Sequence, residues 1–241
     1  MNILSRLVTL VACLAITGCA SMSMMAASDV SDPFERENRA LFDASVQIDR
    51  AVVKPAAVGY RRAVPMRVRD SIRNFLNNLS SPVVFANDVL QGEVDRAGIT
   101  LVRMGVNSTI GIGGLFDPAA GFGYPRHSED FGQTLAVYGV PEGPYLFIPI
   151  LGPSNARDLT GFGVDFAFDP FTWIPLREKT FWMAGRQGLD DLDLRERTIE
   201  PLDEIEKSSI DFYASLRSLY HQNRENEIRN GKPEVEQLPN F

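Results

Sequence analysis

Few side chains in this 241-residue chain are equipped for covalent chemistry. It has only two His and two Cys, and Cys13 and Cys19 both lie in the first 20 residues. The body of the chain therefore lacks thiols for a disulfide framework or a Cys-based metal centre. Two His are too few for a His-rich catalytic metal site, so neither a metal nor a cofactor is expected. His127-Ser128-Glu129-Asp130 sets one His beside acids, a pattern that suits a general base. Gly152-Pro153-Ser154-Asn155-Ala156 loosely resembles a nucleophile elbow, with Ala156 where a glycine is needed. A Ser154–His127–Asp158 triad would need these groups to converge, and nothing in their spacing requires it. The simpler reading is a turn with capping side chains. Gly111-Ile112-Gly113-Gly114 invites a phosphate-loop reading, but Phe116 stands where a dinucleotide fingerprint needs Gly and no Gly-Lys-Ser/Thr follows. These glycines read instead as tight turns and close backbone packing.

The most chemically specific residue is Cys19. Arg6 precedes a short apolar run, Leu7 to Ile16, and then comes Thr17-Gly18-Cys19. A short n-region and an apolar stretch of about ten residues read as a signal peptide, too short to span a bilayer. Ile16-Thr17-Gly18-Cys19 resembles the bacterial lipobox, in which the Cys sulfur takes a diacylglyceryl group and the chain is cut just before it. Residues 1–18 are thus expected to be a leader and Cys19 the lipidation site. Residues 19–31 are expected to be a small, polar tether. Ala20 rather than Asp after the Cys favours the outer membrane by resemblance to lipoprotein sorting in Gram-negative bacteria. Each buried CH₂ contributes about 0.8 kcal/mol, so several acyl chains on one Cys anchor a domain firmly.

The elements that must position any site are mostly helical. Hydrophobic residues at 44% and charged residues at 23% are those of a folded domain. A net charge of −7 argues against nucleic acid as a partner. Asp32-Pro33 reads as an N-cap followed by Pro at the first helical position, and Phe34, Leu41, Ser45, Ile48 and Val52 follow at helical spacing, with Lys54-Pro55 ending or kinking that helix. Val68, Ile72, Phe75, Leu76 and Leu79 mark a second amphipathic helix with a cationic first half. Ser81-Pro82 is expected to restart a helix that Gly92 stops, and Glu93–Val106 to form another. Asn107 to Gly163 then holds eleven of the 19 glycines, so turns, short helices and at most a hairpin are expected. Pro201 to Arg229 reads as one long helix capped by Asn230-Gly231, and residues 232–241 as a loose tail. No apolar run of transmembrane length follows the leader. A lipidated domain with amphipathic helices and a Phe-rich Gly/Pro segment looks built for a membrane interface.

Several ordered strings coincide with one family. They include Asp32-Pro33-Phe34-Glu35-x-x-Asn38-Arg39, Val64-Pro65-x-x-Val68-Arg69, Asn74-Phe75-x-x-Asn78-Leu79 and Asn87-Asp88-x-Leu90-Gln91-Gly92. Further along come Asn107-Ser108-Thr109-x-Gly111, Gly114-Leu115-Phe116-Asp117-Pro118-Ala119, Glu129-Asp130-Phe131-Gly132-Gln133-Thr134-Leu135 and Leu151-Gly152-Pro153-Ser154. Over residues 32–231 the chain resembles the VacJ/MlaA family of outer-membrane lipoproteins. Two departures are Asp43 after Phe42, where Asn is frequent, and Pro141 in Gly139-Val140-Pro141-Glu142-Gly143-Pro144-Tyr145, where Gly is frequent.

The resemblance implies a mainly α fold: a single ring-like helical domain with an irregular Gly/Pro-rich hairpin segment and little or no β-sheet. It implies a channel that passes mislocalised phospholipids from the outer leaflet toward the periplasm, maintaining outer-membrane lipid asymmetry. An outer-membrane porin and a periplasmic lipid carrier are the implied protein partners, and an inner-membrane transporter completes the route. The implied location is the periplasmic side of the outer membrane, held by the lipid anchor. No covalent chemistry is needed, so the protein is expected not to be an enzyme. Gly111–Gly143 is expected to form one wall of the channel, either a mobile hairpin flexing at Gly111, Gly113, Gly139 and Gly143 or a rigid loop in which the glycines serve close packing. Phe116, Phe122, Tyr124 and Phe131 would close the pore, and His127, Glu129 and Asp130 would meet headgroups. The rival readings are a lipidated periplasmic hydrolase using Ser154 and His127, and a structural lipoprotein that scaffolds a porin.

Overall fold

A computed structural model describes residues 32–175 and 177–232. The leader, Cys19 with the tether, and all but the first residue of the expected tail lie outside them. Among the described residues there are ten α-helices and one two-stranded antiparallel sheet, in keeping with the mainly α expectation.

Helix α1 spans Glu35–Ile48. Asp32 does not cap it as expected, because the N-cap position falls on Phe34, which makes no side-chain cap bond. The Asp32 carboxylate is instead buried beneath the helix, accepting from Asn38 Nδ2 at 2.8 Å, from Arg217 at 3.0 Å and from the Tyr213 hydroxyl. Lys54-Pro55 does not end the helix either. A π-helical turn, Asp49–Val53, leads directly into α2, Lys54–Ala63. Pro55 falls in the first turn of α2, where its missing N–H costs least. Val64, extended because Pro65 follows, closes α2.

Helix α3 runs unbroken from Met66 to Gln91, with Pro82 inside it, so the expected restart at Ser81-Pro82 does not occur. The hydroxyls of Ser80 and Ser81 donate to the carbonyls of Leu76 and Asn77, both at 3.2 Å, in the turn that the proline disturbs. Gly92 does stop the helix, in the left-handed conformation, and α4, Val94–Thr109, packs back against α3.

From residue 110 the chain is turns and short helices, as its composition requires. These are α5, Pro118–Gly121, capped by Asp117, and α6, Phe131–Val137, capped by Asp130. The one β-hairpin lies just beyond the expected Gly111–Gly143 segment. Strand β1, Tyr145–Ile148, pairs with β2, Gly152–Asn155, with Tyr145 opposite Asn155. Asn155 then caps α7, Ala156–Phe168, through the Asp158 amide at 2.8 Å.

Helix α8, Lys179–Arg197, precedes α9, Ile199–Ser208, and α10, Phe212–Ile228. The long helix expected over Pro201–Arg229 is therefore interrupted. Ser209 is extended, and Asp211 caps α10 through the Ala214 amide at 3.1 Å while accepting two bonds from Arg39, at 3.1 and 2.6 Å. That cap and ion pair provide what a continuous helix would have forfeited. At the far end Asn230 and Gly231 both have positive φ, as the expected cap requires.

The apolar core is small. Phe42, Tyr145, Phe147 and Tyr213 form it, with edge-on ring contacts of 5.4 Å for Phe42–Phe147 and 5.5 Å for Phe42–Tyr213. Helices α6 and α7 meet elsewhere, through glycines. A Cβ added to Gly161 would stand 2.7 Å from Gly132 Cα, nearer than packed carbons approach. Gly161→Ala should therefore push these helices apart and destabilise the protein by about 1–3 kcal/mol. A thermal midpoint equal to that of the parent would show that the contact yields without cost.

Candidate functional site: a polar cavity inside an apolar rim

The distribution of side chains is inverted relative to an ordinary soluble domain. Among the described residues nine hydrophobic side chains are buried against fifteen polar or charged ones, while 33 large hydrophobics are exposed. Exposed rings include Phe116, Phe122, Phe162, Trp173, Phe181 and Trp182, at 51–72% of their full accessibility. An apolar exterior on this scale marks a surface meant for something other than water. No helix among the described residues is long and apolar enough to cross a membrane.

Three helices turn polar stripes toward one another. Helix α3 presents Asn74, Asn77, Asn78 and Ser81; α4 presents Thr100, Arg103 and Asn107; α8 presents Asp190 and Arg197. These spacings of three, four and seven place each set on one helix face. With residues 126–129 of the irregular segment they enclose a cavity of about 330 Å³. Close packing fixes one junction: Gly114, at φ +93°, lies against Asn78, and a Cβ there would fall 2.5 Å from Asn78 Cβ.

The charges around this cavity are mostly tied down. Arg103 donates to Asp117 at 2.8 Å and to the Tyr124 carbonyl at 2.6 Å, and Asn107 donates to Asp117 at 2.9 Å. Burial pushes the Asp117 carboxyl up, but the bonds from Arg103 and Asn107 outweigh it and hold it low. His127 Nε2 lies 3.0 Å from the fully buried Asp88 carboxylate and 3.1 Å from Thr100. Glu129 is paired with Arg96 and accepts from Gln91 at 2.8 Å; burial still raises its carboxyl above the ordinary value. Asp130 binds Arg224 through two bonds, at 2.6 and 2.7 Å. Arg126 lines the cavity without such a partner. It is reachable by solvent, yet the surrounding protein removes enough water to lower its guanidinium pKa, and the like charges of Arg197 and Arg103 add to this.

The residues singled out from sequence fall into separate places. His127 and Glu129 line the cavity, whereas Asp130 faces Arg224 beside α10. Phe116 and Phe122 are exposed, and so is Tyr124; Phe131 packs edge-on against Phe168 at 6.0 Å. Gly111 is closely packed, since a Cβ there would stand 2.5 Å from the carbonyls of Asn107 and Phe116, while Gly113, Gly139 and Gly143 have positive φ. The triad does not assemble. Ser154 Oγ reaches only the Asn155 carbonyl, at 3.5 Å; Asp158 is engaged by Tyr220 and Arg224; and His127 belongs to Asp88 on the other wall. Neighbours in sequence thus point to different partners because the segment is irregular there. Arg126 and the stripes on α3, α4 and α8 were not singled out from sequence. Asn74, Asn77, Asn78 and Ser81 were the available signal, a polar face at helical spacing opposite the apolar one.

The MlaA lipoprotein family model matches residues 30–227. The chain belongs to the MlaA lipoprotein family. An uncharacterized protein of Rickettsia prowazekii is 33% identical over 202 residues, 83% of this chain and 79% of that protein. The intermembrane phospholipid transport system lipoprotein MlaA of Haemophilus influenzae is 32% identical, over 94% of this chain and 91% of its own length. Its Escherichia coli counterpart of the same name is 31% identical, over 93% and 89%. A solved structure concerned with the structural basis for maintenance of bacterial outer membrane lipid asymmetry superposes with a TM-score of 0.72 and 34% identity, covering 82% of this chain and 99% of that one. In this chain α3, α4 and α8 are arranged around polar space, apart from the small apolar core.

Proposed function

We propose that this protein is the outer-membrane lipoprotein of an intermembrane phospholipid transport system. It lets phospholipid headgroups leave the outer leaflet through its polar cavity, which maintains lipid asymmetry. The observation that carries the reading is the cavity lined by asparagines and charges, set inside a body whose exposed surface is rich in large apolar side chains. A phospholipid crosses a bilayer slowly because its charged headgroup must leave water. A polar passage removes that cost, while exposed Phe, Trp, Ile and Leu side chains lie among acyl chains. Passage through such a cavity requires no bond to be made or broken, so the protein acts as a conduit and not as an enzyme. The anchor is an acylated Cys19 on the periplasmic side of the outer membrane. A porin holds the body in place and a soluble periplasmic carrier takes the lipid. Gly111–Gly143 serves as one wall of the passage, with His127 and Glu129 on its polar side and Phe116 and Phe122 on its apolar side.

The test blocks the cavity without disturbing the fold. Ser128 lines it, is exposed, and makes no side-chain hydrogen bond among the described residues. Ser128→Trp should change stability by no more than about 0.5 kcal/mol. In a strain lacking its own MlaA, it should fail to clear phospholipid from the cell surface, whereas the parent protein clears it. Full clearance by the variant, present at parental levels, would exclude the cavity as the route.

A further inference from the structure

The cavity has two poles that nothing in the fold neutralises. Arg103, Arg197, His127 and Glu129, which line it, each have a protein partner: Asp117 at 2.8 Å, Asp193 at 3.1 Å, Asp88 at 3.0 Å, and Arg96. Arg126 and Asp190 line the same cavity, and neither makes a hydrogen bond or ion pair among the described residues. They do not pair with each other, although each feels the other's charge. Arg126 belongs to the irregular segment, Asp190 to α8. Both are reachable by solvent through the cavity, the surrounding protein strips part of their water, and two unpaired opposite charges lining one cavity are open to a ligand that enters it.

The chemistry of the set defines that ligand. A guanidinium offers a planar fork of N–H donors that fits a phosphate diester. A carboxylate offers only acceptors, which suit a group with several N–H donors and a positive charge. We propose that Arg126 and Asp190 are the two poles of a headgroup site that prefers a phospholipid whose phosphodiester is followed by a primary ammonium. Arg126 takes the phosphate, and Asp190 takes the ammonium. A glycerol headgroup gives Asp190 no cation. A quaternary ammonium brings charge but no N–H. The proposal rests on the reading of the cavity as a lipid passage and adds a headgroup preference to it.

Titration calorimetry on the full-length acylated protein in detergent tests the preference. The probes are dihexanoyl phosphatidylethanolamine, dihexanoyl phosphatidylglycerol, dihexanoyl phosphatidylcholine and inorganic phosphate. The parent protein should bind the ethanolamine lipid about tenfold more tightly than the other two lipids, and inorganic phosphate most weakly. Asp190→Asn should remove the preference while leaving the glycerol lipid unchanged. Arg126→Gln should weaken all three lipids about tenfold. Neither residue has a partner to lose, so both variants should unfold at the parental midpoint. Equal affinity for the ethanolamine and glycerol lipids in the parent, or an unchanged preference in Asp190→Asn, overturns the proposal. So does inorganic phosphate binding as tightly as the ethanolamine lipid, which would make this a free-anion site. The cell-surface assay separates this outcome from failure of the transport reading. Normal clearance with no headgroup preference removes only the site. A parent protein that clears no lipid removes the transport reading, and the calorimetry still reports on the site.

Discussion

Asp193→Ala should destabilise the protein by about 3–5 kcal/mol, the cost of stripping the partner from buried charge. The Asp193 side chain is fully buried. It accepts from Arg73 through two bonds, at 2.8 and 3.2 Å, and from Arg197 at 3.1 Å. Alanine would leave the Arg197 guanidinium without an anion and Arg73 with Asp70 alone, at 3.1 Å. Beside it, Glu196 performs the same service for Arg61, at 2.7 Å, and for Arg69. These acids fasten α8 to α2 and α3, and α8 carries one wall of the cavity. The consequence should reach function, because Arg197 is then free to swing into the passage. A denaturant titration compares the midpoints. A shift worth less than about 1 kcal/mol would mean that water enters and solvates the arginines. Asp193→Asn keeps the shape and removes the charge, so its loss should fall between parent and alanine.

Cys19→Ser should eliminate the anchor altogether. The lipobox-like Ile16-Thr17-Gly18-Cys19 provides a single thiol for the diacylglyceryl group, and serine cannot replace it. The variant should accumulate as a precursor that keeps residues 1–18 and carries no acyl chains. Intact-mass measurement distinguishes the two forms directly. The parent protein should begin at residue 19 and carry the added mass of its lipids. A parent protein with an unmodified Cys19 would refute the anchor. The effect is large because anchoring by acyl chains grows with every buried CH₂, and a net charge of −7 offers no electrostatic attraction to an anionic membrane.

Much of this protein was determined locally and could be read in order along the chain. The helical spacings of α1 and α3, the stop at Gly92, the cap at Asn230-Gly231 and the breakdown of regular structure after residue 110 all follow from near neighbours. Backbone sterics and short-range packing decide them, and both are written in consecutive residues. The family strings were equally legible, since they are ordered motifs independent of contact. Where a local signal failed, a distant residue had intervened. Asp32 left its cap for Asn38, Tyr213 and Arg217. Ser209 to Asp211 broke an apparently continuous helix because Arg39, 172 positions away from Asp211, binds it. Pro82 stayed inside α3, where the helix runs on through it to Gln91.

The cavity was decided only by the tertiary structure. Asn74, Asn77 and Asn78 resemble a solvated helix face, and Asp190 and Arg197 resemble surface charges, until α3, α4 and residues 126–129 are folded against α8. A helical stripe reports that one face differs from the other. It does not say whether the polar face meets bulk water or a space enclosed by three other polar faces. That choice depends on contacts such as Arg73 with Asp193, 120 residues apart, whose energy comes from burial that no single segment possesses by itself.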